Sequence, residues 1–149
     1  MAVERTYAML KPGILQRRLV GEVLNRIERK GLKIIGLKLM RIDTDLAHTH
    51  YAEHVGKDFH EKLISYTVSG PVIGLVIEGE NAIAAFRRLI GPTDVNASQP
   101  GTIRGDYAYR TRLNIVHASD SIESAEREIK LFFAPEEIVE WEDGNAAWF

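Results

Sequence analysis

Apolar positions change period several times along the chain, and each change marks an element. Thr6-Tyr7-Ala8-Met9-Leu10 reads as a first strand, stopped by Pro12-Gly13. From Leu19 to Lys30 the period becomes helical, with Val20, Val23, Leu24 and Ile27 on one face and Gly31 closing the segment. Ile34 to Ile42 is again strand-like, and the polar stretch from Asp43 to Val68 has room for two short helices. Pro71 to Ile77 is apolar enough for a central strand, and Asn81 to Ile90 forms the next helix. Gly91 to Arg112 has no clear period and carries Pro92, Asn96, Ser98, Pro100, Gly101 and Gly105, so it reads as a long loop, of the kind that is usually functional. Ile115 and Val116 have strand chemistry, and Asp120 with Glu123 has the form of a capping box opening the amphipathic run Ile122, Ala125, Ile129, Phe132. There is no repeat, linker or low-complexity tract. This β-α-β-α-β-α-β-α order predicts one α+β domain over 1–149, a ferredoxin-like sandwich with a four-stranded antiparallel sheet flanked by helices.

The most informative segment is Asn114-Ile115-Val116-His117-Ala118-Ser119-Asp120-Ser121, an apolar strand that delivers one histidine to the mouth of a helix. Unpaired N–H groups at such a mouth favour an anion, so a phosphoryl group carried on the His117 imidazole would be held rather than repelled. Glu128 lies on that helix, and its side chain leans back toward the N-terminus, where it would fix the ring's tautomer.

Composition bounds the setting. The 149 residues suffice for a substantial core, and 19 Lys+Arg against 21 Asp+Glu give a net charge of −2, no global reason to bind nucleic acid or an anionic membrane. The absence of cysteine rules out disulfides and thiolate metal sites. Neither a signal core nor a run of membrane-span length is present, so a cytoplasmic protein is expected. Cationic side chains cluster where strands and loops end: Lys11 after the first strand, Arg87 and Arg88 in a helix, and Arg104, Arg110 and Arg112 in the long loop. In company with Thr93, Asn114 and His117 they have the chemistry that phosphoryl transfer needs.

Two other motifs are decoys. Gly31-Leu32-Lys33-Ile34-Ile35-Gly36-Leu37-Lys38 has the outline of a P-loop but puts Leu37 where lysine must follow the second glycine. His50-Tyr51-Ala52-Glu53-His54 has the H-x-x-E-H form of a zinc helix, with His48 and His60 nearby; no downstream acidic ligand motif accompanies it, and solvated helix histidines are the expectation.

Taken together with Ser69-Gly70-Pro71-Val72, Pro100-Gly101-Thr102-Ile103-Arg104-Gly105-Asp106 and Glu4-Arg5-Thr6, the Asn114–Ser121 segment closely resembles the nucleoside diphosphate kinases, and the similarity runs from about Glu4 to Glu137. The resemblance implies a ferredoxin-like enzyme that moves the γ-phosphoryl of ATP or another nucleoside triphosphate onto a nucleoside diphosphate, by a ping-pong route through a phosphohistidine. It implies His117 as the phosphorylated residue, through Nδ1, and Glu128 as its orienter. Ser119 and Tyr51 would line the phosphoryl site, while Lys11, Arg87, Thr93 and Arg104 would bind phosphate. Asn114 would meet the sugar, and Phe59 would stack on the base. Mg²⁺ would arrive on the nucleotide phosphates rather than in a protein cage.

The chain departs from the family pattern in several places. Gly13-Ile14-Leu15 follows Lys11-Pro12 where Asp-Gly-Val is usual, Arg18 stands at a common glycine, and Asp58 precedes Phe59 where proline is frequent. Val95 occupies a loop position that is often proline. The resemblance also implies a homo-oligomer built from dimers, a hexamer favoured over a tetramer. The apolar tail of Ile138, Val139, Trp141, Trp148 and Phe149 is expected to pack on a neighbour. An inactive nucleotide-binding regulatory module of the same fold is the alternative; a nucleic-acid binder using the stacking face and basic loop is weaker, given the acidic balance.

Overall fold

The structure, a computed structural model, describes residues 2–52 and 59–149. In chain order the elements are β1 (Val3–Leu10), α1 (Val20–Arg29), β2 (Lys33–Met40), α2 (Thr44–His50), α3 (His60–Val68), β3 (Val72–Glu80), α4 (Ala82–Ile90), α5 (Ile103–Tyr107), β4 (Val116–Ala118) and α6 (Ile122–Phe132). The strands make one antiparallel sheet in the order β2-β3-β1-β4, the ferredoxin-like arrangement, with α2 and α3 inserted between β2 and β3.

The two central strands are apolar without interruption because helices cover both faces of the sheet. Alternation along β1 sends Tyr7 and Met9 into one layer with Val76, Ile64 and Phe132, and sends Ala8 and Leu10 into the other with Val23, Ile27 and Phe86. Each large side chain so buried stabilises the fold by about 1.5–3 kcal/mol. In the β1–β4 pair Met9 stands opposite His117, so the histidine shares the layer of Tyr7 and Met9, while Val116 and Ala118 join the opposite core.

Several boundaries differ from the sequence reading. β1 starts at Val3, ahead of the apolar run, because Arg5 pairs with Glu78 directly across β3 at 2.9 Å and with Glu140 at 3.1 Å. β2 runs Lys33–Met40 rather than to Ile42 and carries an irregularity between Ile34 and Gly36. The stretch Gly91–Arg112 is not a bare loop: it holds a 3₁₀ turn at Val95–Ala97 and helix α5, whose cap is Thr102, its hydroxyl accepting from the Gly105 N–H at 2.9 Å. A helix of five residues is too short to show a period. Helix α6 is capped by Ser121, not Asp120: the Ser121 hydroxyl oxygen accepts from the Ser124 N–H at 3.1 Å.

The C-terminal tail lies against its own chain for part of its length. Ile138 packs on the core, the Val139 N–H donates to Ile35 O at 2.8 Å, and Trp141 Nε1 donates to Ile34 O at 2.9 Å. Trp148 and Phe149 remain exposed, although Phe149 approaches Gly31, whose φ of +96° places it in the left-handed region where helix α1 ends. Among the described residues no helix is long and apolar enough to cross a membrane.

Candidate active site

The chain reverses abruptly just before β4. The Val116 N–H donates to Asn114 O at 2.8 Å around Ile115, whose φ is +62°, a tight turn that a β-branched residue adopts only under constraint. That constraint is visible. Lys11 N–H donates to Ile115 O at 2.9 Å, and the Arg104 guanidinium donates to Asn114 O at 3.3 Å, Gly91 O at 2.9 Å and Val116 O at 2.5 Å. Three carbonyls in succession are thus held from β1 and α5, and the strained turn fixes where β4 starts. Arg104 has five N–H donors, of which these bonds use three, so its fork keeps capacity for an anion.

Next to this turn the Lys11 ammonium donates to Asn114 Oδ1 at 2.9 Å and lies 5.6 Å from the centre of the Tyr66 ring. Lys11 is 6% exposed; burial first, and then the neighbouring Arg104 charge, lower its pKa to about 7. Burial and Arg87 likewise lower Arg104 to about 10, which leaves it charged at neutral pH. Arg87 reaches toward the same region, donating to Ala118 O at 3.1 Å.

His117 projects from β4 with its side chain 20% exposed, and its Nε2 lies 2.8 Å from Glu128 Oε1. Glu128 is buried on the sheet-facing side of α6 with Ala125 and Phe132. The same oxygen accepts from the Ser119 hydroxyl at 2.8 Å, which makes Nε2 the protonated ring nitrogen and leaves the lone pair on Nδ1.

These groups open on one cavity of about 750 Å³. Its wall includes Lys11, Tyr51, Phe59, Arg87, Thr93, Arg104, Asn114, His117 and Glu128, so nine sequence candidates converge there; the tenth, Ser119, stands behind the wall on Glu128. Of the other cations, Arg112 reaches the wall, whereas Arg88 and Arg110 are exposed outside it. Tyr51 is buried beneath the cavity, and that burial raises its pKa to about 12. The helix mouth is less open than expected, because Asp120 and Ser124 occupy it and the Ser124 hydrogen bond holds the Asp120 carboxyl below its usual range. Sequence reasoning missed Lys62, Leu63 and Tyr66, although with Phe59 they recur at i, i+3, i+4 and i+7, the signature of one helix face. The expectation of solvated histidines is corrected for two residues: His50 is 3% and His60 6% exposed, packed by tertiary contacts that a helical face alone does not reveal. Glu53, His54 and Asp58 lie outside the described residues.

A model of the nucleoside diphosphate kinase family matches residues 4–138. The chain belongs to that family. The nucleoside diphosphate kinase of Treponema pallidum (strain Nichols) is 58% identical over 149 residues, 100% of both chains. That of Archaeoglobus fulgidus is 52% identical over 146 residues, 98% of this chain and 97% of the relative. A halophilic nucleoside diphosphate kinase from Halobacterium salinarum, solved in complex with CDP, superposes with a TM-score of 0.95 at 48% identity, covering 99% of this chain and 98% of that one.

Against the nucleoside diphosphate kinase pattern, the departures acquire structural content. Pro12 and Gly13 form a tight turn closed by the Ile14 N–H to Lys11 O at 3.2 Å, and the φ of +97° at Gly13 demands a glycine. Ile14, 1% exposed, anchors that turn in the core. Arg18, at the family's common glycine, adopts φ +60°, a conformation that costs an L-residue about 1–2 kcal/mol. Val95 is buried within its own loop, and its N–H donates to the Thr111 hydroxyl oxygen at 3.2 Å.

Proposed function

We propose that this chain transfers the γ-phosphoryl group of a nucleoside triphosphate, ATP included, to a nucleoside diphosphate through a phosphohistidine on His117. The observation that carries this reading is the Nε2 bond to buried Glu128 at 2.8 Å, which fixes the tautomer with a nucleophilic lone pair on Nδ1. In the first half-reaction Nδ1 attacks the γ-phosphorus, the bond to the β–γ bridging oxygen breaks, and the nucleoside diphosphate leaves with that electron pair. In the second, a β-phosphate oxygen of another diphosphate attacks, and the P–N electron pair returns to Nδ1. Lys11, Arg87 and Arg104 spread the equatorial charge, Thr93 adds a phosphate hydrogen bond, and Asn114 binds the sugar. Tyr51 and Ser119 line and brace the phosphoryl site. Phe59 offers a ring face that suits any base.

Mg²⁺ enters as the counter-ion of the nucleotide. The wall's proposed phosphate ligands include three cations, and of the two carboxylates that line it among the described residues, Asp120 and Glu128, the second is committed to His117 and Ser119, so the donor set fits a phosphate-borne ion better than a protein cage. The family and the exposed Trp148 and Phe149 support a homo-oligomer, a hexamer in preference to a tetramer. One domain over 1–149 acting in the cytoplasm completes the reading, with no specific nucleic-acid partner.

Incubation with ATP alone is expected to release ADP and leave an acid-labile, base-stable phosphoenzyme, and His117→Ala is expected to lose both. A parent chain that binds nucleotide without γ-phosphoryl exchange would be the inactive module instead, and a variant that still turns over would move the nucleophile elsewhere. Light scattering checks assembly: a monomer at micromolar concentration refutes the oligomer, and a tetramer refutes only the hexamer.

A further inference from the structure

His50, at the end of α2, turns inward rather than to solvent. Its ring stands edge-on to that of His117, with centroids 4.7 Å apart at an interplanar angle of 83°. Phe132 at 5.0 Å and Tyr51 at 4.3 Å hold it in place. One nitrogen of each histidine and a Glu128 carboxylate oxygen lie within 4.8 Å of one another, and all three residues reach the cavity wall. Ligands on a tetrahedral ion at about 2.0–2.1 Å stand roughly 3.3 Å apart. Closing the set therefore takes side-chain adjustment of up to about 1.5 Å, and the cavity gives an entry path and room for a solvent ligand in the fourth position. Two imidazoles and one carboxylate suit a borderline transition ion, whereas Mg²⁺ prefers oxygen donors.

We propose that His50, His117 and Glu128 form a binding site for a divalent transition ion of the Zn²⁺ type, and that occupancy inhibits the enzyme by engaging both the nucleophilic ring and the carboxylate that orients it. The zinc-helix outline, which begins at the last residue of α2, thus contributes one ligand, His50, whose partners come from β4 and α6. Binding through Nε2 replaces the His117–Glu128 hydrogen bond with two metal bonds and moves the ring proton to Nδ1, which then has no lone pair with which to attack phosphorus. The inhibitory consequence rests on the phosphohistidine reading; the site itself does not.

Cobalt(II) titrated into the nucleotide-free chain tests the site without turnover. Saturation at one equivalent with intense visible absorption of a four- or five-coordinate ion is expected; only the pale spectrum of the aqueous ion would overturn the site. Cadmium-113 bound to chain carrying ¹⁵N-histidine should couple to two ring nitrogens, and coupling to one or none would also overturn it. His50→Gln, with folding checked by thermal melting, should weaken cobalt binding by about tenfold or more; unchanged affinity in a folded variant would count against the assignment, while the cadmium measurement stands if the variant fails to fold. Stoichiometric Zn²⁺ should cut phosphoenzyme formation from ATP at least tenfold, reversibly with chelator and fresh Mg²⁺. A chain that binds cobalt through two histidines but forms no phosphoenzyme without zinc keeps the site and loses the transfer reading; a chain that phosphorylates and ignores stoichiometric zinc does the reverse.

Discussion

The two ends of the cavity are built on different principles. At the His117 end, Lys11, Arg104 and Asn114 are all less than a tenth exposed and are tied to one another and to a strained turn by hydrogen bonds. At the other end, Phe59 is 49% exposed and Leu113 41%. Donors buried in a low-dielectric wall are aimed before any charge develops beside them, so under the proposed transfer little reorganisation is left to the reaction itself. Among the described residues the second end offers shape and a π-face without a buried polar side chain, an arrangement that discriminates poorly between bases. Precision is therefore expected in phosphate chemistry and tolerance in base recognition, and each substitution below should fall on one side of that division.

Arg104→Ala strikes the organised end hardest. It removes a charge from the cavity wall and leaves the carbonyls of Gly91, Asn114 and Val116 without that partner. At about 1–3 kcal/mol for each buried group left unsatisfied, the melting temperature should fall by roughly 10 °C, and transfer should drop by about 10²-fold or more. Arg104→Lys should recover part of the activity and little of the stability, since one ammonium cannot reproduce a three-way fork. Melting curves and single-turnover phosphorylation check this; a variant melting within a degree or two of the parent would show that the turn does not depend on the guanidinium.

Ile115 separates strain from packing at the same place. Truncation to alanine loses buried side chain, 4% exposed in the parent, at about 2–5 kcal/mol. Glycine loses slightly more packing and adds unfolded-state entropy, but it escapes the roughly 1–2 kcal/mol cost of φ +62°. Denaturant unfolding should therefore find Ile115→Gly at least as stable as Ile115→Ala, the reverse of the usual order. If glycine is the weaker by a full kcal/mol, the turn is not strained.

The sequence carried the chemistry of this end better than its shape. His117 and Glu128 were legible because a strand, a polar break and an amphipathic helix bring them together by local geometry, and Lys11 because a cation ending an apolar strand is conspicuous. The left-handed Ile115 was not, since Asn-Ile-Val favours extended backbone and the reversal is imposed by Arg104 and Lys11 from elsewhere in the chain. His50 was misread for the same reason: its burial depends on Tyr7 and Phe132, which are remote in sequence. At the Phe59 end the miss was avoidable, because Phe59, Lys62, Leu63 and Tyr66 follow a plain helical spacing.

Lys11 extends the contrast to pH. Burial and Arg104 hold its pKa near 7 against an ordinary value of 10.5, so its charge costs the free fold stability in full below about pH 7, and that cost is shed as pH rises toward 10.5. Phosphate beside the ammonium favours the charged form, so nucleotide binding above pH 7.5 should take up close to one proton, and affinity should fall toward tenfold for each pH unit. Calorimetry in buffers of different ionisation heat measures the uptake. Lys11→Arg should flatten the dependence, and a parent whose affinity is level from pH 7.5 to 9 would place the lysine's charge outside the binding event.

Phe59→Ala should have the smallest effect and the most even one. Half of the ring already faces solvent, so little burial is lost and the melting temperature should move by no more than a degree or two. A base stacked on an aromatic face gains about 1–3 kcal/mol, and an exposed platform belongs at the low end, so KM for diphosphates should rise about fivefold with the phosphorylated enzyme's maximal rate nearly intact. Because a π-face reads no hydrogen-bonding edge, the rise should be similar for ADP, GDP, CDP and UDP. Comparing the four KM ratios in parent and variant makes the test: a loss confined to purines, or a fall in kcat as large as that in Arg104→Lys, would show that the outer end orients the phosphates as well as holding the base, and the division between the two ends would have to be redrawn.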